Sequence, residues 1–428
     1  MKLYSTNDKN NIVDLKEAVL HSLPKDKGLY MPTAIKKLDD EFINNLHKYS
    51  FQEIAFKVAE NLIGETIPKE DLKNIVEDSI NFIAPVVTIE DKTHILELFH
   101  GPTLAFKDFG ARFMARLMQY FLKDSNEKIK ILVATSGDTG GAVAAGFYNI
   151  ENIEVVILYP KGRVSKLQEK QLTTWGGNIK ALEIDGNFDQ CQALVKQAFL
   201  DPELNEKCNL SSANSINIAR LIPQSFYYFE AYKQLTTDLP ISFVVPSGNF
   251  GNMTAGLLAK KMGLPISKFI AATNKNDVFP KYLASGEYNP IQAYETLSNA
   301  MDIGNPSNFY RILDLYGSTW NNIKEEILGY SISDEETVET IVEVHNKLGY
   351  VLDPHTAVGY LGSKNYNHEN EEKIILSTAH PIKFANEVAD SINFSIPHPS
   401  SINTILKKEG HKTKLSSDFK ALKDFILQ

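Results

Sequence analysis

The sequence His100-Gly-Pro-Thr-Leu-Ala-Phe-Lys107-Asp-Phe-Gly110 sets a lysine where lysines are rarely found. Leu104, Ala105, Phe106 and Phe109 around it are apolar, and Gly101, Pro102 and Gly110 mark tight turns on either side. From Phe109 onward, Phe113, Met114, Leu117, Met118, Phe121 and Leu122 recur at helical spacing, so Lys107 stands at or just inside a helix N-terminus facing an apolar core. Burial and the positive end of a helix dipole both disfavour an ammonium. An amine held neutral in this way is a nucleophile able to form a Schiff base with a carbonyl. The same stretch also fits a lysine whose stem packs on the core while its head reaches water.

Outward from this stretch, the chain alternates strands and helices. Ile129 to Thr135 reads as a short buried strand running into Ser136-Gly137-Asp138-Thr139-Gly140-Gly141 and a helix of small residues. Ile241 to Val245 repeats the pattern, followed by Pro246-Ser247-Gly248-Asn249-Phe250-Gly251-Asn252 and a helix from Thr254. A strand, a glycine-rich turn and a helix N-terminus together make an anion cup, because free backbone N–H groups converge there with the helix dipole. Neither turn ends in Gly-Lys-Ser/Thr and neither matches GxGxxG, so a nucleotide is not the natural ligand. Strand-to-helix turns also need glycine for geometry alone, which keeps a purely structural reading open for each cup taken singly.

Further strands at Val155 to Tyr159, Ile179 to Ile184, Phe269 to Ala272 and Ile374 to Ser377 predict two parallel sheets covered by helices on both faces. Ligands in such sheets bind at the carboxyl ends of the strands, where Ser136, Gly248 and Thr378 fall. Residues up to about Pro85 read as mostly helical, with Val13 to Leu20 and Phe51 to Leu62 as periodic pieces, a region suited to covering or gating a site. Pro280 to Leu328, rich in Asn, Tyr and Ser, reads as an insertion lying across a cleft. The chain ends in a polar linker and an amphipathic helix carrying Phe419, Leu422, Phe425 and Ile426.

With 428 residues and 43% apolar content, the chain can bury a large core and is expected to hold two or three domains. A net charge of −9 and the lack of basic runs argue against nucleic acid or an acidic membrane as partner. Any anionic ligand must be held by local groups. Cys191 and Cys208, far apart and outside any CxxC, fit a reducing compartment. No signal-peptide run, membrane-length apolar stretch or metal-ligand histidine pair is present, so the expectation is a cytoplasmic protein without a bound metal.

A Schiff-base lysine and two anion cups in such an architecture suggest pyridoxal phosphate chemistry. Gly101-Pro-Thr-Leu-Ala-Phe-Lys-Asp108, Ala134-Thr-Ser-Gly-Asp-Thr-Gly140 and Pro246-Ser-Gly-Asn-Phe-Gly251 resemble threonine synthases of the bacterial and fungal type. So do Ser212-Ala-Asn-Ser-Ile-Asn217 with Arg220, Leu297-Ser-Asn-Ala-Met-Asp302 and Thr378-Ala-His-Pro381, and the matches keep their order along essentially the whole chain.

The resemblance implies a fold type II pyridoxal-phosphate enzyme, a carbon-oxygen lyase acting on phosphate. Its parts would be a helical N-terminal region (1–95), a large cofactor-binding domain (96–112 with 216–428) and a small substrate-carboxylate domain (113–215). It implies that Lys107 carries the cofactor and moves protons, that Gly248, Asn249, Phe250, Gly251 and Asn252 wrap its phosphate, and that Thr378 meets the pyridine nitrogen. It further implies that Ser136, Gly137, Asp138 and Thr139 hold the substrate carboxylate. Asp138 stands where many relatives of the wider fold carry asparagine, and its role stays unassigned, with the substrate ammonium one option. For the substrate phosphate the candidates are Arg220, Asn214, Lys161 and Ser215, since charge-assisted donors suit phosphate. Asn214 also reads as a turn residue, and Lys161 as a solvated loop charge.

The implied reaction takes O-phospho-L-homoserine and water to L-threonine and phosphate, in a monomer or homodimer. Competing readings are a dehydratase or cysteine synthase of the same fold, a phospho-lyase releasing 2-oxobutyrate, and a non-catalytic sensor. The SNAMD segment and the long N-terminal region argue against the first two, and an intact Lys107 argues against the sensor.

Overall fold

The computed structural model describes residues 1–428, apart from the side chains of residues 386, 387 and 401. The strands among the described residues are β1 (Lys2–Ser5), β2 (Ile12–Asp14), β3 (Tyr30–Pro32), β4 (Val86–Glu90), β5 (Thr93–Glu97), β6 (Ile129–Ala134), β7 (Ile153–Pro160), β8 (Ile179–Asp185), β9 (Asn209–Ser212), β10 (Ile241–Pro246), β11 (Ile266–Thr273), β12 (Ile327–Ser331), β13 (Glu372–Ser377) and β14 (Thr413–Ser416). The larger sheet runs β12-β11-β10-β13-β5-β4, parallel throughout except for β4, which is antiparallel to β5. The smaller runs β14-β8-β7-β6-β9, all parallel. Helices cover both faces, which is why β6, β7 and β10 read as nearly unbroken apolar runs and are buried along almost their whole length. The α/β architecture expected from the alternation is therefore present.

Strand pairing redraws the expected domain boundaries. The antiparallel ribbon β4–β5 belongs to the larger sheet, not to the N-terminal region, because β5 pairs with β13 from Thr93 to Glu97. At the other end, β14 pairs with β8, and the last helix (Phe419–Ile426) packs Leu422 and Ile426 against Leu194 and Cys191 of the smaller domain. The C-terminal tail thus completes the smaller sheet although its sequence follows the larger one. Tertiary pairing, which local periodicity does not encode, decided both points.

The N-terminal region is mostly helical, as expected, but also holds strands that were not. Lys2 to Pro32 holds a three-stranded antiparallel sheet, β2-β1-β3. The periodic stretch from Val13 is split, with β2 ending at Asp14 and a helix (Leu15–His21) starting there, capped by the Asp14 side chain accepting from the Glu17 N–H at 2.9 Å. Helix Phe51–Ile63 forms as expected and opens with a Ser50/Glu53 capping box. This region is fastened into the body: Leu15, Val19, Ile54 and Val58 share one core with Phe109 and Phe113. Asn217 Nδ2 donates to the Val19 carbonyl at 2.9 Å. It buttresses the lysine helix, and none of its residues lines the cavity between the two sheets. Among the described residues no helix is long and apolar enough to cross a membrane, and no cluster of side chains suits a metal ion.

Candidate active site

Helix Lys107–Leu122 begins with the lysine itself. The turn before it is strapped to the strand extension beyond β13. Phe106 N–H donates to the Thr378 carbonyl at 2.9 Å, His380 N–H to the Leu104 carbonyl at 3.0 Å, and Ala105 bridges Ala379. Leu104 is held at φ 60°, a conformation that costs a non-glycine residue energy. Asp108 stabilises it by accepting from Thr103 N–H (2.8 Å) and Thr103 Oγ1 (2.6 Å). Burial pushes the Asp108 carboxyl upward, against these two bonds.

Lys107 is partly exposed, into a cavity between the two sheets. Its amine is lowered to about 8, chiefly by burial; the Asp138 charge opposes the shift, while Arg220 and Lys383 add to it. The alternative of a head group reaching bulk water is not what the structure holds. Facing it across the cavity is the turn after β10. All of Gly248 to Asn252 line the cavity, and Phe250 at φ 60° leads into helix Gly251–Lys261. Among the described residues the N–H groups of Gly248, Asn249 and Phe250 donate no hydrogen bond. A Cβ on Gly248 would sit 2.6 Å from the Met301 Cα, so only glycine lets the backbone pass there. Asn252 Oδ1 accepts from Tyr227 and Tyr228 hydroxyls at 2.6 and 2.9 Å, while its Nδ2 is buried without a partner. The Asn249 side chain serves the frame instead, bonding Ser215 Oγ (2.7 Å) and Ser307 N–H (2.6 Å). Thr378 lines the cavity at the end of the β13 extension, and its hydroxyl makes no hydrogen bond among the described residues.

The turn after β6 differs. Thr135 Oγ1 accepts from Gly137 and Gly140 N–H, both at 2.9 Å, leaving Ser136 and Thr139 to face the cavity. Gly137 and Asp138 do not line it. The Asp138 carboxylate is buried against Lys383 Nζ (2.8 Å) and Gln168 Nε2 (2.9 Å); Lys383 above all, then the Lys107 charge and the Gln168 bond, hold it well below the usual carboxylate range in spite of burial. An Asp138 already paired in this way is not placed for the substrate ammonium.

Among the phosphate candidates, Arg220, Asn214 and Ser215 reach the cavity and Lys161 does not, being exposed and 3.7 Å from Asp185. Arg220 is buried, its guanidinium lowered to about 10 by burial; it donates to the Ala213 carbonyl and keeps Nε unpartnered among the described residues. Asn214 Nδ2 donates to the Ala134 carbonyl at 3.0 Å, as a turn residue would.

Several residues had been given no role at the site by the sequence, although the segment from Leu297 to Asp302 stood out as a motif. Asn299, Ala300 and Met301 form a wall of the cavity, and Asp302 fixes that segment by accepting from Thr296 Oγ1 (2.6 Å) and Asn274 Nδ2 (2.9 Å). His355 also lines the cavity; it accepts from Ala300 N–H at Nε2 (3.2 Å), so its proton lies on Nδ1, facing Asp353 at 2.8 Å. Arg311, fully buried, donates to the carbonyls of Tyr30, Ser215 and Ile216 and so ties the N-terminal region to the cavity wall. Lys383, adjoining the Thr378-Ala-His-Pro381 segment, had no signal of its own because an isolated lysine in a sequence reads as solvated.

A lowered lysine, an open ring of N–H groups at a helix start and a free hydroxyl fit pyridoxal phosphate: the lysine suits its aldehyde, the ring its phosphate and the hydroxyl its pyridine nitrogen. These features define the class, a pyridoxal-phosphate-dependent enzyme, and the sequence model described as pyridoxal-phosphate dependent enzyme matches residues 94–378. Models of the threonine synthase N terminus and C-terminal part match residues 2–80 and 356–426. The chain is 44% identical to a threonine synthase of Escherichia coli, covering 100% of this chain and 99% of the relative. The crystal structure of threonine synthase from Escherichia coli superposes with a TM-score of 0.94 at 43% identity, covering 100% and 99% of the two chains. Pyridoxal-phosphate-bound threonine synthase from Brucella melitensis superposes at 0.93 and 36% identity, covering 100% and 99%. The chain belongs to the threonine synthase family.

Proposed function

We propose that this enzyme converts O-phospho-L-homoserine and water to L-threonine and phosphate, with Lys107 as its central proton carrier. The observation that carries the reading is the Lys107 amine at an apolar helix start, in one cavity with two separate glycine turns and a buried arginine. When bound, pyridoxal phosphate supplies an electron sink conjugated to the substrate's amine. The turn from Gly248 to Asn252 holds the cofactor phosphate by backbone N–H groups, where the helix dipole favours an anion. Thr378 offers the ring nitrogen a hydroxyl rather than a carboxylate, so the ring is not held protonated and the sink is moderated. Side reactions that need a strong sink, transamination among them, are thereby disfavoured.

Ser136 and Thr139 receive the substrate carboxylate, and Arg220 with Ser215 the substrate phosphate, where an arginine with unused donors suits the leaving group. The Lys107 amine is then the base that takes the protons from Cα and Cβ; its ammonium returns one to Cγ as phosphate departs and the other to Cα once the hydroxyl of water has added at Cβ, the remaining proton of that water leaving on the phosphate. An amine at about 8 exchanges protons in both directions near neutral pH, which an ordinary lysine does not.

The test is to incubate the holoenzyme with O-phospho-L-homoserine and quantify phosphate, threonine and 2-oxobutyrate together. Equal phosphate and threonine are expected. Phosphate with 2-oxobutyrate would make the enzyme a lyase of the same substrate, and no phosphate would overturn the assignment. Lys107→Ala is expected to abolish turnover and the cofactor's visible absorption band together.

A further inference from the structure

We propose that Lys383 is a positioning residue that sets the charge of Lys107: it engages the Asp138 carboxylate from the far side and keeps Asp138 from becoming the counter-ion of the reactive amine. The inference rests on the reading of Lys107 as the reacting lysine.

The geometry begins with two buried charges from different domains. Asp138 opens the helix after β6 in the smaller domain, and Lys383 lies on the turn Pro381–Phe384 after β13 in the larger. Their side chains are 6% and 0% exposed, and Nζ lies 2.8 Å from Oδ1. Lys383 also donates to the Thr103 carbonyl at 2.9 Å, and Gln171 Nε2 donates to the same carbonyl at 3.0 Å. Gln168 Nε2 supplies Asp138 Oδ1 with a second donor at 2.9 Å. The cluster therefore touches the lysine turn itself, four residues before Lys107.

A buried carboxylate beside an amine is an opposite charge in low dielectric, where the attraction is far stronger than in water and holds a lysine protonated. A proton carrier needs the reverse. The charges whose fields reach Lys107 are those of Asp138, Arg220 and Lys383, and of these only Asp138 favours the ammonium; Arg220 shares its cavity, while the Asp138–Lys383 pair lies behind the turn, on the Thr103 carbonyl. Asp108, on the lysine's own helix, spends both oxygens on Thr103, and His355 is fixed with its proton toward Asp353. Lys383 acts twice, by neutralising the one attractive charge and by adding a repulsive one. Because the two partners sit on different domains, this contact links the domains' approach to the lysine's charge.

The holoenzyme's visible absorption, titrated against pH, reads the protonation of the Lys107 nitrogen directly. In Lys383→Met the midpoint is expected to rise by about one pH unit, and the acid limb of kcat/KM to move with it. Lys383→Arg should restore both. In Asp138→Asn the midpoint should fall, the opposite sign. The double variant D138N/K383M leaves no unpaired buried charge, so it keeps the question answerable if K383M fails to fold; its midpoint must lie above that of D138N. A Lys383 that only stabilises the fold would lower the melting temperature and leave all midpoints in place, and that result overturns the proposal. Retention of the visible band in Lys107→Ala would instead overturn the assignment of Lys107, a separate failure.

Discussion

The turns after β6 and β10 look like twins on paper: a buried strand, a run of glycine with small polar residues, and a helix. Folded, they do different work. The turn after β6 spends two of its N–H groups on the Thr135 hydroxyl and starts its helix with an acid, Asp138, which needs Lys383 and Gln168 around it. The turn after β10 has no acid, leaves three consecutive N–H groups without a partner among the described residues and passes along the cavity wall through a left-handed Phe250. An acidic first turn is compatible with helix formation but not with a dianion in the same cup. The number of unspent donors and the sign of the first helical side chain, not the glycine count, separate the two turns as anion seats.

Breaking the second cup has the largest expected effect. Gly248→Val forces side-chain atoms onto the Met301 backbone, which has no flexible end to yield, and cofactor affinity should fall roughly a hundredfold. Equilibrium dialysis against pyridoxal phosphate measures it. The corresponding Gly137→Ala meets only the end of the Gln168 side chain, though at φ 137°, and should raise the substrate KM while cofactor affinity changes little. Equal loss of cofactor affinity in both would erase the distinction between the two turns.

Asn252→Asp makes the second turn resemble the first. The Tyr227 and Tyr228 hydroxyls can donate to a carboxylate as they do to the amide, so the fold should hold while cofactor affinity drops about tenfold or more by charge repulsion. The effect is read as dissociation constant against melting temperature. Smallest for the cofactor is Thr135→Val, which strips the hydroxyl from two buried N–H groups. It should cost about 1–3 kcal/mol of stability in urea unfolding, with cofactor affinity unchanged.

The lysine turn was legible because its chemistry is local: an apolar setting, turn glycines and the helical spacing after Phe109 put Lys107 at a helix start without reference to any distant residue. The same holds for the strands, since β6, β7, β10 and β13 are buried on both faces and declare it by composition. The small β1–β3 sheet was not legible; strands of three or four residues carry too little periodicity to compete with the helical signal from Val13 onward.

By itself, then, the amino-acid order determined the sheet class, a lysine at an apolar helix start and the two glycine turns, because periodicity, turn chemistry and helix starts act over a few residues. Tertiary structure alone decided which turn keeps its N–H groups free, that β14 closes the smaller sheet and that Lys383 meets Asp138. Those outcomes depend on contacts between residues as much as 245 positions apart, here Asp138 and Lys383. Buried charge and unspent donors are properties of what surrounds a group, and only the folded chain supplies the surroundings.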